Sequence, residues 1–110
     1  MTDKIVVLST CASAEEAERL ARRVIDDHLA ACVNVLSPVR SFYRWKGVIE
    51  DSAEWLLITK SVRDKFDALR AALESAHTYE IPEVIAISVI EGSPSYLSWI
   101  ERELQPAEIK

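Results

Sequence analysis

Strand-like and helix-like stretches follow one another in the order βαββαβ, both internal helical stretches carry an apolar face, and a short third helix closes the chain. These observations predict an α+β fold: a ferredoxin-like βαββαβ sandwich with a long central hairpin and a C-terminal helix. Two helices then cover one face of a four-stranded antiparallel sheet, and right-handed crossovers leave few other connections open. At 110 residues, with no linker or shift in composition, one domain over 1–110 is expected.

Each element rests on a local signal. The first strand, Lys4–Ser9, is built on the apolar run Ile5–Leu8, too short for a helix. Ser13 with Glu16 three residues on makes a capping box. Ala17, Leu20, Ala21, Val24, Ile25 and Leu29 then recur at helical spacing. His28, near the end of that helix, is placed to complement its dipole. Cys32–Trp45 mixes β-branched, aromatic and polar residues without a helical face; Pro38 requires this strand to bend, bulge or run along an edge. Lys46-Gly47 is the turn, and Val48–Lys60 the return strand.

Ser61 with Asp64 predicts a second capped helix, whose apolar face reads Val62, Phe66, Leu69, Leu73 and Ala76. Pro82 disfavours helix at Ile81, so His77–Pro82 is a loop and Glu83–Glu91 the fourth strand. Pro94 fits the first position of the last helix, with Leu97, Ile100 and Leu104 facing inward. Gln105–Lys110 reads as a frayed tail.

Charge and composition narrow the partners. Thirteen Lys+Arg against eighteen Asp+Glu give a net charge of −5, which opposes nucleic acid and anionic membrane surfaces. An RNA-recognition domain shares the βαββαβ order but needs stacking aromatics on its central strands, where Val48–Lys60 offers only Trp55. The apolar runs fall far short of the ~20 residues that span a bilayer, and Ile5–Leu8 is too short for a signal-peptide core. The cytoplasm is therefore the expected location. Cys11 and Cys32 form neither a CxxC pair nor a disulfide framework, and two free thiols are expected. No nucleophile elbow, P-loop or zinc-protease motif is present, so enzymatic activity is not expected.

Two features predict self-association. Cys32–Trp45, if straight, reaches roughly 46 Å at ~3.3 Å per residue, against a radius of gyration of about 13 Å for a domain this size. The hairpin must fold back at Pro38 or project beyond its own subunit. The fourth strand is also apolar on both parities: Ile85, Ile87 and Val89 alternate with Val84, Ala86 and Ile90. A sheet covered by helices on one side and apolar on the other calls for a second cover. Tyr43, Trp45 and Trp55 on the hairpin suit either an interface or ordinary cross-strand packing.

One loop gathers polar chemistry: His77-Thr78-Tyr79-Glu80-Ile81-Pro82-Glu83. An imidazole, a phenol and two carboxylates in seven residues suit a divalent metal or a small anion. In a ferredoxin-like order the first and fourth strands are antiparallel neighbours, which brings Cys11 and this loop to the same end. Cys32 is expected near that rim as well. Both thiols read equally well as small buried apolar residues, and His77 as an ordinary hydrogen-bonded loop histidine.

Four ordered segments carry a resemblance: AACVNVLSPVRSFYRWKGVIE (Ala30–Glu50), LLITKS (Leu56–Ser61), HTYEIPE (His77–Glu83) and YLSWI (Tyr96–Ile100). From Ile5 to about Glu101 the chain resembles the CutA family of divalent-cation tolerance proteins. The resemblance implies a cytoplasmic homotrimer of ferredoxin-like subunits, similar in architecture to the PII signalling proteins, associated with copper and other divalent ions and not with catalysis. It further implies metal ligation, with His77 as the first candidate ligand, Cys11 as a soft partner and Cu²⁺ as the ion. The chain departs from the family pattern at three points: Ser9 stands where some members carry a cysteine, Ala76 where they carry a second histidine, and Thr78 where a proline is usual. The alternative is a PII-like trimeric regulatory module binding a small metabolite between subunits, with Tyr79, Glu80 and Trp99 lining the cleft.

Overall fold

The computed structural model describes residues 2–106 and holds, in order, β1 (Lys4–Cys11), α1 (Ala14–Asp26), β2 (Cys32–Trp45), β3 (Val48–Val62), a 3-10 turn (Arg63–Lys65), α2 (Phe66–Ala76), β4 (Ile85–Ser88) and α3 (Pro94–Glu103). The strands form one sheet in the order β2-β3-β1-β4, with antiparallel neighbours throughout. This is the predicted ferredoxin-like arrangement. Of the tail predicted over Gln105–Lys110, residues 107–110 lie outside the described residues.

Every second residue of β1, namely Ile5, Val7, Ser9 and Cys11, is buried. Opposite them on β3 stand Ser61, Thr59, Leu57 and Trp55. Leu20 and Val24 of α1 and Leu69 and Leu73 of α2 close over this face, each 1% exposed or less. Each fully buried Leu contributes about 2 kcal/mol through removal of apolar surface from water. The face of α1 is narrower than its pattern implied. Ala17, Leu20 and Val24 reach the sheet, while Ile25 stays 40% exposed beside them.

Several local expectations are corrected. Ser13 caps α1 as read, accepting from the Glu16 amide at 3.1 Å, but the Glu16 side chain turns to Ala12 N–H instead of the cap's own amide. Ser61 does not cap α2. It belongs to β3, where its hydroxyl donates to the Leu29 carbonyl at 2.6 Å. Val62 likewise ends β3 and packs with Ile100 of α3 and with Leu104 just past its end, not with the face of α2. His28 lies past the end of α1 with φ +56°, its Nδ1 3.3 Å from the Glu103 carbonyl oxygen, so it meets α3 instead of capping α1. β4 is shorter than predicted, although Val89 still bonds Lys4 and Thr2 through its backbone.

Pro38 marks a shift of register between Leu36 and Val39, on the edge strand of the sheet. Beyond it the two strands stay paired out to a turn with Lys46 at φ +50° and Gly47 at φ +81°, the mirror-image turn that suits a twisted hairpin. The hairpin projects, since β1 stops opposite Trp55 and no strand among the described residues continues the sheet beside the arm. The molecule accordingly measures 52 × 31 × 22 Å, with a radius of gyration of 14.9 Å.

Two hydroxyls in the core, Ser9 Oγ and Thr59 Oγ1, find no protein partner among the described residues. A buried unpaired hydroxyl opposes folding, so Thr59→Val is expected to stabilise the fold by about 1 kcal/mol. Urea denaturation should show a higher midpoint at unchanged slope; a lower midpoint would mean that the hydroxyl is satisfied.

Candidate functional site

Pairing β1 with β4 brings the start of the fourth strand beside the end of the first, which seats the 77–83 loop against Thr10 and Cys11. The side chain of His77 is buried there. The Tyr79 amide donates to its Nδ1 at 3.0 Å. A backbone amide only donates, so Nδ1 is the bare nitrogen and Nε2 carries the hydrogen. Nε2 donates that hydrogen to the Thr10 carbonyl at 2.7 Å. Both nitrogens thus serve to hold the loop against β1.

Glu16 anchors the same loop from below. It is 5% exposed, and its carboxylate accepts from the Thr78 amide at 2.9 Å, from the Thr78 hydroxyl at 3.0 and 2.9 Å, and from the Ala12 amide at 3.3 Å. Burial pushes its pKa up, but the hydrogen bonds from Thr78 and Ala12 outweigh burial and hold the carboxyl below its ordinary value. Thr78, the departure from the family's proline, is what supplies two of these donors.

Tyr79 reaches the other way. Its hydroxyl donates to Glu54 Oε2 at 2.6 Å, tying the loop to the base of the hairpin arm. Burial, then the neighbouring Glu54 carboxylate, raise the Tyr79 pKa, so the phenol keeps its proton. Glu54 is itself only 5% exposed. Between loop and arm opens a cavity of about 400 Å³, lined by Tyr43, Trp45, Glu54, Tyr79, Glu80 and Glu83, with Thr10, Thr78 and Ile81 completing the wall.

Of the residues singled out from the sequence, Tyr79 and Glu80 line this cavity. Trp99 does not. It stacks on Tyr96 with ring centroids 5.5 Å apart and packs beside Val62, Ile100 and Leu104. Cys11 lies under the loop, fully buried, its thiol 3.6 Å from the Ser13 carbonyl oxygen that accepts from it. Burial raises its pKa, which keeps the sulfur in the thiol form and not the ligating thiolate. Cys32 is not at this rim. It pairs with Lys60, toward the opposite end of the sheet, because β2 runs parallel to β1 and therefore begins where β1 begins. Glu54, Tyr43 and Trp45 went unrecognised as site residues. Their only sequence signal is shared parity across the hairpin, where Tyr43 stands opposite Glu50, Trp45 opposite Val48 and Val39 opposite Glu54.

Residues 5–103 match the family model described as CutA1 divalent ion tolerance protein. The divalent-cation tolerance protein CutA of Thermus thermophilus is 37% identical over 95 residues, which is 86% of this chain and 92% of that protein. Protein CutA of Mus musculus is 41% identical over 93 residues, 84% of this chain, but the chain spans only about half (52%) of the mouse protein. Among solved structures, CutA from Xylella fastidiosa superposes with a TM-score of 0.92 at 38% identity, covering 94% of this chain and 100% of that one. A structure described as the periplasmic divalent cation tolerance protein CutA from Archaeoglobus fulgidus gives 0.90 at 36%, covering 93% and 99%.

Proposed function

The chain belongs to the CutA1 divalent ion tolerance family, and on that premise we propose that it acts in divalent-cation tolerance as a cytoplasmic homotrimer. The observation that supports the assembly is apolar surface that one subunit leaves uncovered. On the sheet face away from α1 and α2, Ile85 and Ile87 remain half-exposed, and the arm adds Phe42, Val48 and Ile49 at 60% exposure or more. α3 covers only the Val62 end of that face. Apolar surface on this scale is normally buried against a partner, and a threefold arrangement is what the family resemblance implies. For the compartment, both cysteines are free thiols, as a reducing cytoplasm favours. No helix among the described residues is long and apolar enough to cross a membrane.

Copper is the ion implied by the resemblance, with His77 and Cys11 as ligands. The residues present do not fit a resident copper centre. Both ring nitrogens of His77 are engaged by backbone groups, the Cys11 thiol is buried and protonated, and no group of three or more His, Cys, Asp or Glu side chains among the described residues is placed to hold a metal ion. The proposed role in tolerance therefore does not run through a preformed Cys11–His77 site. Sedimentation with and without Cu²⁺ tests assembly and metal dependence together. The expected particle is three times the 12.4 kDa subunit in both conditions. A 12.4 kDa particle, or a trimer that forms only with Cu²⁺, would overturn the reading.

A second reading is supported by the cavity between loop and arm: a PII-like regulatory module that takes a small ligand there. Apart from Thr10, its walls come from two segments far apart in the chain, 43–54 and 78–83, joined by the Tyr79–Glu54 hydrogen bond. A ligand seated between them would hold both in place.

A further inference from the structure

The cavity between the 77–83 loop and the hairpin arm has a charge pattern that selects its occupant. Three carboxylates line it, Glu54, Glu80 and Glu83, and no Lys, Arg or His does. Buried carboxylates are ordinarily matched by a cation. Glu54 is 5% exposed, yet neither it nor Glu80 nor Glu83 forms an ion pair among the described residues. Among the described residues the one hydrogen bond to the Glu54 side chain comes from the neutral phenol of Tyr79, which brings no positive charge to the carboxylate.

The rest of the wall is aromatic. Tyr43 and Trp45 stand on one face of the arm, two residues apart in a strand, and Tyr79 faces them from the loop. Aromatic rings attract cations through their electron-rich faces, most effectively weakly hydrated organic ones. A nucleotide or other anion would meet three like charges in the lining, where the neighbouring cation, Lys46, stands outside it with its Nζ 5.8 Å from the Trp45 ring centroid. A divalent metal would need several donors converging within coordination distance, and the described residues supply no such group.

We propose that this cavity is a binding site for a small organic cation, an alkylammonium head group seated against Trp45 and Tyr43 with its charge toward Glu54. The inference rests on the reading of the cavity as a ligand site and names the class of ligand.

Tetramethylammonium chloride and ATP, each titrated calorimetrically into the full chain at matched ionic strength, test it. Saturable binding of tetramethylammonium is expected, weakened about tenfold by Trp45→Ala, which removes the best cation-binding ring. Glu54→Gln is expected to weaken it at least as much while keeping an oxygen to accept from Tyr79. Trp45 lies outside both buried clusters, so its variant retains the fold. Equal affinity of native chain and Trp45→Ala for tetramethylammonium would overturn the proposal. Binding of ATP instead, lost in Trp45→Ala, would overturn the ligand class while leaving the cavity as a ligand site. Binding of neither would overturn both.

Discussion

Glu16→Ala is expected to destabilise the fold by about 2 kcal/mol, because truncation removes a buried carboxylate that accepts from three part-buried donors. The Thr78 amide, the Thr78 hydroxyl and the Ala12 amide all lose their partner at once. The same linkage has a pH signature. The carboxyl titrates lower in the folded chain than its ordinary value of 4.5, so its stabilisation is complete above that value. The stabilisation is lost as pH falls through the lower, folded value. Urea midpoints measured from neutral pH into this acid range should fall for the native chain. The Ala variant should start lower and fall less. Parallel curves for the two proteins would show that Glu16 carries no pH-linked stability.

Ile87→Asp is expected to abolish association. Ile87 sits on the open sheet face opposite Val6 and is 51% exposed in the isolated subunit, so a charge there costs the subunit's own fold little. In the proposed trimer every copy places the carboxylate on a surface it shares with its neighbours, and burying an unpaired charge costs several kcal/mol at each. Light scattering should report the 12.4 kDa subunit with unchanged far-ultraviolet dichroism. A variant that still assembles would place the contact elsewhere on the chain.

The architecture was legible because the signals that define it are short-range. Ser13 marks the start of α1, Lys46-Gly47 the hairpin turn and Pro94 the start of α3, and each stands where it was read. Local reasoning failed where a tertiary partner competed for the same group. Ser61 looks like a helix cap beside Asp64, but the Leu29 carbonyl takes its hydroxyl and the strand runs on to Val62. Glu16 reads as half of a reciprocal box, yet Thr78, 62 residues away, takes its carboxylate.

The site was legible in one half only. Strand order alone placed the His77 loop beside the end of β1, and it is there. The roles of its members were not visible, because a histidine that binds metal and one that braces a loop are the same letter. Only the Tyr79 amide on Nδ1 and the Thr10 carbonyl on Nε2 tell them apart. Cys32 was misplaced for a topological reason, since parallel β1 and β2 set their first residues, not the end of one and the start of the other, at a common edge.

The hairpin arm has a bearing on how this chain tolerates change. No side chain between Arg40 and Asp51 enters either buried cluster, so substitutions there leave the subunit's own folding nearly untouched. In the proposed trimer, what restrains that stretch is fit to a neighbouring subunit. Its residues should therefore drift as a correlated group between lineages, and a chimaera grafting one lineage's arm onto another's body should fold normally yet fail to join the parent's particles.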